Sequence, residues 1–406
     1  ISLSICIPLQ LVCLIRSLVL YNPLSLHRHH SFSISIRIPS QAYKSPPFPP
    51  HLTVYAEAIL ACNAMVMGFA GVRLPSGRTC RANGWKAAAA ALMLLWMSGL
   101  TDHLFTTSFD EFSWPPYVHL KAKVDDLIRS KMSSNGLPNM WNRSIEMVPD
   151  CGRGGYREAD KSKRLLVIVK SAIGNFEARA AIRGTWGRAE REGEWAVRFV
   201  FVLGSSPDRS LSNRVMREAD EHRDILLSGD FVDEYYNNGK KFGLSLWLSS
   251  SSSLSLNCPS SFTLLIDDDY MVSRRNLIRL LTSRRGDEPL YEGWQMVTSP
   301  FRFRLHKHSV SLADYPFDAY PPYITAGAVL LSAHSALRFY YGTLFLKLYA
   351  FDDVYAGILA KQLSIIPVHN GGFPYWSSAS QTIDWTKTIA AHGFSPSDII
   401  GLFPPK

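Results

Sequence analysis

Three consecutive carboxylates, Asp267-Asp268-Asp269, follow directly on Phe262-Thr263-Leu264-Leu265-Ile266, a run of strong strand character. A strand covered on both faces can carry such an apolar run, but it cannot bury three unpaired negative charges. The acids must sit where the strand emerges, in water, against basic groups or around a cation. Alternation along a strand would turn Asp267 and Asp269 one way and Asp268 the other. Two hard oxygen ligands on one side suit Mg²⁺ or Mn²⁺, particularly a cation shared with a phosphate. The rival reading from these residues alone is a solvated acidic turn closing a core strand.

The elements that would position the acids begin near Lys163, where strand and helix patterns alternate. Leu165 to Val169 is a five-residue apolar run, and Phe199 to Leu203 is a second, closed by Gly204-Ser205-Ser206-Pro207. Between them, Gly174 to Arg191 reads as a helix. Residues 211–222 form a charged helix, Ile225 to Leu227 a short strand, and Phe262 to Ile266 the strand that ends in the acids. This alternation predicts a mostly parallel sheet flanked by helices, with ligands at the carboxyl ends of its strands. No Gly-rich phosphate loop of the dinucleotide or P-loop type is present, which argues against NAD and ATP chemistry.

The 406 residues carry 47% hydrophobic and 19% charged side chains and a formal net charge of +9. The positive charge is scattered, with no basic block interleaved with aromatics, so nucleic acid is not an expected partner. The cysteines, at positions 6, 13, 62, 80, 151 and 258, show no metal-binding spacing. Cys151 and Cys258 are placed to pair only if they face an oxidising compartment. Residues 1–86 read as a leader and cytosolic tail. Within it, 1–21 are apolar around Arg16, and 22–53 are rich in Ser, Pro and His without a helical or strand period. The apolar run from 87 to 100 follows Arg73, Arg78, Arg81 and Lys86 and precedes Asp102, an asymmetry that predicts a signal-anchor transmembrane helix over 87–105 with its N-terminus cytosolic. A cleaved signal peptide and a buried Ala-rich helix are the rival readings, since the apolar run is shorter than a standard span. Residues 106–155, with the sequon Asn142-Arg143-Ser144, read as a stem, and 156–406 as the folded domain.

Within that domain, several motifs in order resemble the β1,3-galactosyltransferase family, the inverting nucleotide-sugar transferases of the secretory pathway. Arg179-Ala-Ala-Ile182-Arg183-Gly-Thr185-Trp186 is similar to its RxxIRxTW motif. Asp224-Ile225-Leu226-Leu227 and Asp230-Phe231-Val-Asp233-Glu-Tyr235-Tyr-Asn237, with Lys241, resemble its DIL…DFxDxYxN segment. Asp267-Asp268-Asp269 resembles its metal-binding acids, and Tyr320-Pro321-Pro322-Tyr323 with Gly327 its YPPYxxG loop. Asp352-Asp353-Val354-Tyr355-Ala356-Gly357 is similar to its EDVYxG motif, and His392-Gly393-Phe394-Ser395-Pro396 to its terminal histidine segment. The likeness spans about residues 160–400. Departures fall at Ile266, Ile324, His308, Asn238-Gly239-Lys240 and Asp352.

The resemblance implies a GT-A type nucleotide-sugar transferase fold behind a single N-terminal membrane anchor. It implies a single-pass type II protein of the Golgi membrane with a lumenal catalytic domain. The implied reaction moves galactose from UDP-galactose onto a glycan of a glycoprotein or glycolipid in β1,3 linkage. Transfer of N-acetylglucosamine or N-acetylgalactosamine is the nearest alternative, and a non-catalytic glycan- or partner-binding relative is the alternative of another class. Mn²⁺, or Mg²⁺, would neutralise the departing diphosphate. By family position Asp269, Asp267 and His392 are the metal candidates, and Asp353 is the catalytic base, with Asp352 as its substitute. Arg179, Arg183, Asp267 and Asp268 are assigned to the UDP side, although ion pairing of the two arginines with Glu177 and Glu190 would explain them as well. His369 is a weaker metal candidate.

Overall fold

The computed structural model describes residues 80–130, 144–188, 191–250, 258–376 and 383–402. In chain order the strands are β1 (Ile145–Met147), β2 (Arg164–Lys170), β3 (Arg191–Glu192), β4 (Trp195–Ser205), β5 (Ile225–Val232), β6 (Phe262–Asp267), β7 (Tyr270–Val272), β8 (Tyr291–Met296), β9 (Tyr323–Ser332), β10 (Val368–His369) and β11 (Ala390–His392). The helices are α1 (Cys80–Ser98), α2 (Leu120–Ser130), α3 (Phe176–Gly184), α4 (Arg209–His222), α5 (Asn238–Ser249), α6 (Arg274–Leu281), α7 (Ala333–Phe345), α8 (Asp352–Leu363) and α9 (Pro396–Leu402).

The fold is mixed α/β. One sheet runs β1-β5-β4-β2-β6-β9-β8-β10, with β3 beside β4, and β7 pairs with β11 in a small second sheet. Strands β5, β4, β2 and β6 are parallel, whereas β9 is antiparallel to β6 and β8. The apolar runs are continuous because both faces of the sheet are covered. Along β2, Leu165, Val167 and Val169 enter one core with α3, α4 and α6. Leu166 and Ile168 enter the other, with α5, α7 and α8.

Two sequence-based boundaries are corrected. The helix expected over 174–191 is only Phe176–Gly184, because Thr185 leaves helical geometry and Trp186 drops into the core against Phe199. Of the stem expected over 106–155, the described residues are packed on the domain. Trp114 is buried and its Nε1 donates to the Lys347 carbonyl at 2.8 Å, and Leu120, Val124 and Leu127 form the buried face of α2. That i, i+4, i+7 spacing is what a docked helix requires. Further along, β1 extends the sheet beside β5, and Cys151 is disulfide-bonded to Cys258 across a sequence separation of 107. The sequon's Asn142 and residues 251–257 of the serine-rich segment lie outside the described residues.

The signal-anchor helix expected over 87–105 is not shown as such among the described residues. Helix α1 ends at Ser98, and Gly99 turns the chain with φ at +71°, a conformation glycine adopts without steric cost. Asp102 then pairs with Arg304 at 2.8 Å, and Arg304 also donates to the Met97 and Trp96 carbonyls. The last part of the run therefore docks on the domain instead of extending the helix. Among the described residues no helix is long and apolar enough to cross a membrane.

Candidate active site

The order of strands in the sheet sets the location. From β2 the chain proceeds to β4 on one side, while β6 flanks β2 on the other, which makes their carboxyl ends a topological switch point where α/β sheets bind ligands. The last residues of the two strands, Lys170 and Asp267, are direct cross-strand partners there. Helix α8 brings Asp352 and Asp353 to the same place in its first turn. It is held against the 320–323 loop at Gly357, where a Cβ would come within 2.7 Å of the Tyr323 Cβ.

Lys170 joins these acids. Its side chain is 7% exposed, and its Nζ lies 2.6 Å from Asp352 Oδ2 and 3.0 Å from Asp267 Oδ1. It also donates to the Ala326 carbonyl at 3.0 Å. Burial alone would lower the Lys170 pKa, but the two carboxylates outweigh it and hold the ammonium above its usual range. Protein packed around Asp267 pushes its carboxyl up to about 6, although 40% of its side-chain surface stays accessible. Asp353 has no cation of its own, and its Oδ1 accepts only the neighbouring Val354 N–H among the hydrogen bonds seen. Burial first, and then the adjacent Asp352, raise its carboxyl to about 7.

The three consecutive acids do not alternate as strand residues, because β6 ends at Asp267 and the chain turns before β7. Each therefore meets a different partner. Asp267 meets Lys170. Asp268 accepts from Ser171 Oγ at 2.6 Å and from Asn175 Nδ2 at 3.0 Å. Asp269 Oδ2 lies 3.0 Å from His392 Nε2, which the pairing of β11 with β7 brings alongside.

The expected metal set is thus divided. Among the described residues no group of three His, Cys, Asp or Glu side chains converges on a point. Asp269 and His392 do converge, both side chains remain nearly half exposed, and Asp269 Oδ1 is a buried oxygen with no hydrogen-bond partner. One oxygen and one imidazole nitrogen beside an orphaned carboxylate oxygen fit a divalent cation whose other ligands come from substrate and water. His369 is elsewhere, edge-on to Trp294 with its Nδ1 accepting from Gln295 N.

Arg179 and Arg183 are engaged by carboxylates of the domain itself. Both project from α3 toward Glu218 of α4, at 2.7 and 2.6 Å, and Arg183 also pairs with Asp224 at 2.7 Å. Arg179 is fully buried and donates to Ser171 Oγ and to the Ala172 and Ile173 carbonyls. A guanidinium with those partners is a structural cation, and it reaches the site only through Ser171 and Asp268. The expected partner Glu177 does not supply these ion pairs, and Glu190 lies outside the described residues. On the opposite side Tyr235 Oη lies 2.9 Å from His308 Nδ1, with the Phe351 ring beside both. Tyr320 and Tyr323 are buried, bonded to Tyr349 and Thr298, so the Tyr-Pro-Pro-Tyr loop acts as packing behind Asp353.

Sequence reasoning ended its first strand at Val169 and so missed Lys170, along with Ser171 and Asn175. The signal was present: a lone lysine at the end of an apolar strand faces the same burial problem as the acids.

Comparison with known proteins bears on what this acid cluster does. The galactosyltransferase family model matches residues 177–371, which contain β6, its acids and the start of α8. The β1,3-galactosyltransferase bre-5 of Caenorhabditis elegans is 34% identical over 76% of this chain and 88% of its own length. The chain belongs to the β1,3-galactosyltransferase family. It is a glycosyltransferase. The Drosophila melanogaster β1,3-galactosyltransferase brn is 35% identical over 75% of the chain and 89% of its own length. A mouse N-acetyllactosaminide β1,3-N-acetylglucosaminyltransferase is 33% identical over 61% and 64%. The solved structure of mouse xyloside xylosyltransferase 1 overlaps this transferase with a TM-score of 0.30 at 13% identity, over 57% of this chain and 96% of that one, a likeness too slight to argue from. Ile266 and Ile324, two of the departures from the family pattern, are core residues.

Proposed function

We propose that this transferase moves a hexose, galactose in the first instance, from its UDP derivative to a glycan hydroxyl in β1,3 linkage with inversion. The observation that carries the reading is Asp353, a carboxylate without a cation partner, held near neutrality beside the switch point of the sheet. A general base is most effective when its pKa lies near the working pH. Asp353 accepts the proton of the acceptor hydroxyl as that oxygen attacks the anomeric carbon. The bond from that carbon to the diphosphate oxygen breaks on the opposite face, its electron pair leaving with UDP. A single displacement of this kind inverts the centre, as in glycosidases that place a base across from the leaving group.

Asp269 and His392 would hold Mn²⁺, or Mg²⁺, and the cation would supply charge neutralisation to the departing diphosphate. Asp268, fixed by Ser171 and Asn175, and Asp267, fixed by Lys170, would orient the donor around it. Tyr235, His308 and Phe351 form the wall on which the acceptor sugar would rest, since aromatic faces pack against the apolar faces of sugars. We assign the fold to the GT-A type, a reading supported by the acids at the carboxyl ends of the parallel strands. The Cys151–Cys258 disulfide supports an oxidising, lumenal compartment, and the Golgi lumen is the compartment we assign. The charge asymmetry before residue 87 supports a type II anchor there.

The test is release of sugar from a panel of UDP-hexoses by the full-length protein, with a galactose-terminated or N-acetylhexosamine-terminated acceptor, with Mn²⁺ and with EDTA. The expected result is Mn²⁺-dependent turnover of UDP-galactose, abolished by EDTA and by Asp269→Ala. Turnover of UDP-N-acetylglucosamine alone would move the assignment to that donor, and undiminished turnover in EDTA would refute the cation.

A further inference from the structure

We propose that Lys170 is a positioning residue of the transfer reaction: a single buried ammonium ties the donor-side Asp267 to the acceptor-side Asp352 and, by fixing Asp352 as an anion, leaves Asp353 as the group that exchanges the acceptor's proton. This rests on Asp353 being the base.

The geometry leaves Lys170 no other role. Its three N–H donors are matched by Asp352 Oδ2, Asp267 Oδ1 and the Ala326 carbonyl. Those acceptors come from α8, β6 and β9, so one side chain fixes three separate elements around the site. Its side chain is almost wholly enclosed, and a buried ammonium held by two carboxylates does not give up its proton at neutral pH. Lys170 therefore neither supplies nor takes the proton of the reaction; it sets which of the paired acids does. Asp352, at 2.6 Å, is committed to it as an acceptor. Asp353 is bonded to the Val354 N–H and is left to the substrate.

The groups facing Asp353 are few. Asp352 raises its affinity for a proton and Lys170 lowers it. The phenols of Tyr235, Tyr291, Tyr320 and Tyr323 stand around it and are themselves pushed up by burial first and by the acid second or later, so they remain neutral. Lys170 is the one cation in that set. Its removal shifts the protonation of the pair in a known direction: without it the two neighbouring carboxylates share a proton more tightly, and the base is unloaded only at higher pH.

The experiment is the pH dependence of kcat for the full-length protein, its Lys170→Met variant and its Asp352→Asn variant, with folding checked by thermal melting. Lys170→Met keeps the apolar stem and loses the charge. It is expected to lower kcat about tenfold or more at neutral pH and to move the acidic limb upward by about one pH unit. Asp352→Asn, which removes the repelling anion, is expected to move the same limb downward. A folded Lys170→Met protein with a lower rate but an unmoved limb overturns the proposal, because a merely structural lysine would lower the rate uniformly. If Lys170→Met does not fold, an unmoved limb in Asp352→Asn overturns it as well. Asp353→Asn separates this from the reading beneath it. Full activity in that variant refutes the base assignment itself, whereas a dead Asp353→Asn beside an unshifted Lys170→Met refutes only the role of Lys170.

Discussion

Two buried ion clusters lie on either side of Ser171, and they differ in their charge balance. Behind the sheet, Arg179 and Arg183 face Glu218 and Asp224, two cations against two carboxylates. At the end of the sheet, Lys170 faces Asp267, Asp352 and the adjoining Asp353, one cation against three. The first cluster is satisfied: burial pushes Glu218 up, but the hydrogen bonds and charge of Arg179 and Arg183 win and hold it below the usual range. The second is left with more negative charge than its partner can neutralise, and burial first, with the neighbouring carboxylates adding to it, raises Asp267 to about 6 and Asp353 to about 7. A balanced cluster holds elements together. An unbalanced one stores an affinity for protons and cations, which a reaction can use.

The largest effect that would test this contrast is on the rate. Asp353→Asn keeps the size of the side chain and removes the base, and is expected to lower kcat about 10²- to 10⁴-fold with no loss of melting temperature. In the parent, the base works only when unprotonated, so kcat/KM is expected to rise with pH through about 7 and then level off. A profile already flat from pH 5 upward would remove Asp353 from that role.

The reverse pattern is expected in the balanced cluster. Arg179→Met strands Glu218 opposite a single arginine in the interior, and breaking a buried pair in this way costs about 3–5 kcal/mol of stability. The measurement is urea unfolding, read beside the rate per folded molecule. Some loss of donor affinity should accompany it, since Arg179 donates to the Ser171 hydroxyl that holds Asp268. A large fall in kcat with unchanged stability would return Arg179 to the substrate side, where its motif had placed it.

What the sequence made legible, and what it did not, follows from the same contrast. The strands were legible because Leu165 to Val169 and Phe262 to Ile266 are too apolar to be anything but covered on both faces, and both cores confirm it. The acids were legible as a site because nothing local could neutralise them. The arginines were not legible, because a motif shows that a guanidinium is needed but not what it faces, and Glu218 lies 39 residues along the chain from Arg179. Lys170 was missed for a similar reason: its partner Asp352 is 182 residues away. The folded part of the stem was missed because Trp114 is held by the Lys347 carbonyl, a contact that local periodicity cannot show.

The smallest effect is on stability as a function of pH, and here the two clusters should move in opposite directions. Glu218 has a folded pKa below its unfolded value of about 4.3. Its contribution is present above that value and is lost as pH falls through the folded pKa. Asp353 has a folded pKa near 7 and an unfolded value of about 3.9. Its folded form therefore binds the extra proton between those limits, and stability falls as pH rises from about 4 to about 7. Asp353→Asn should accordingly be more stable than the parent at pH 8, with the difference closing toward pH 4. Glu218→Gln should be less stable than the parent at pH 8, and that difference should close only below pH 4. Unfolding free energies at pH 4, 6 and 8 for the three proteins would decide the matter. If Asp353→Asn gained nothing at pH 8, the carboxylate would not be under the strain that an unbalanced cluster imposes, and its place as the transferase's base would have to rest on position alone.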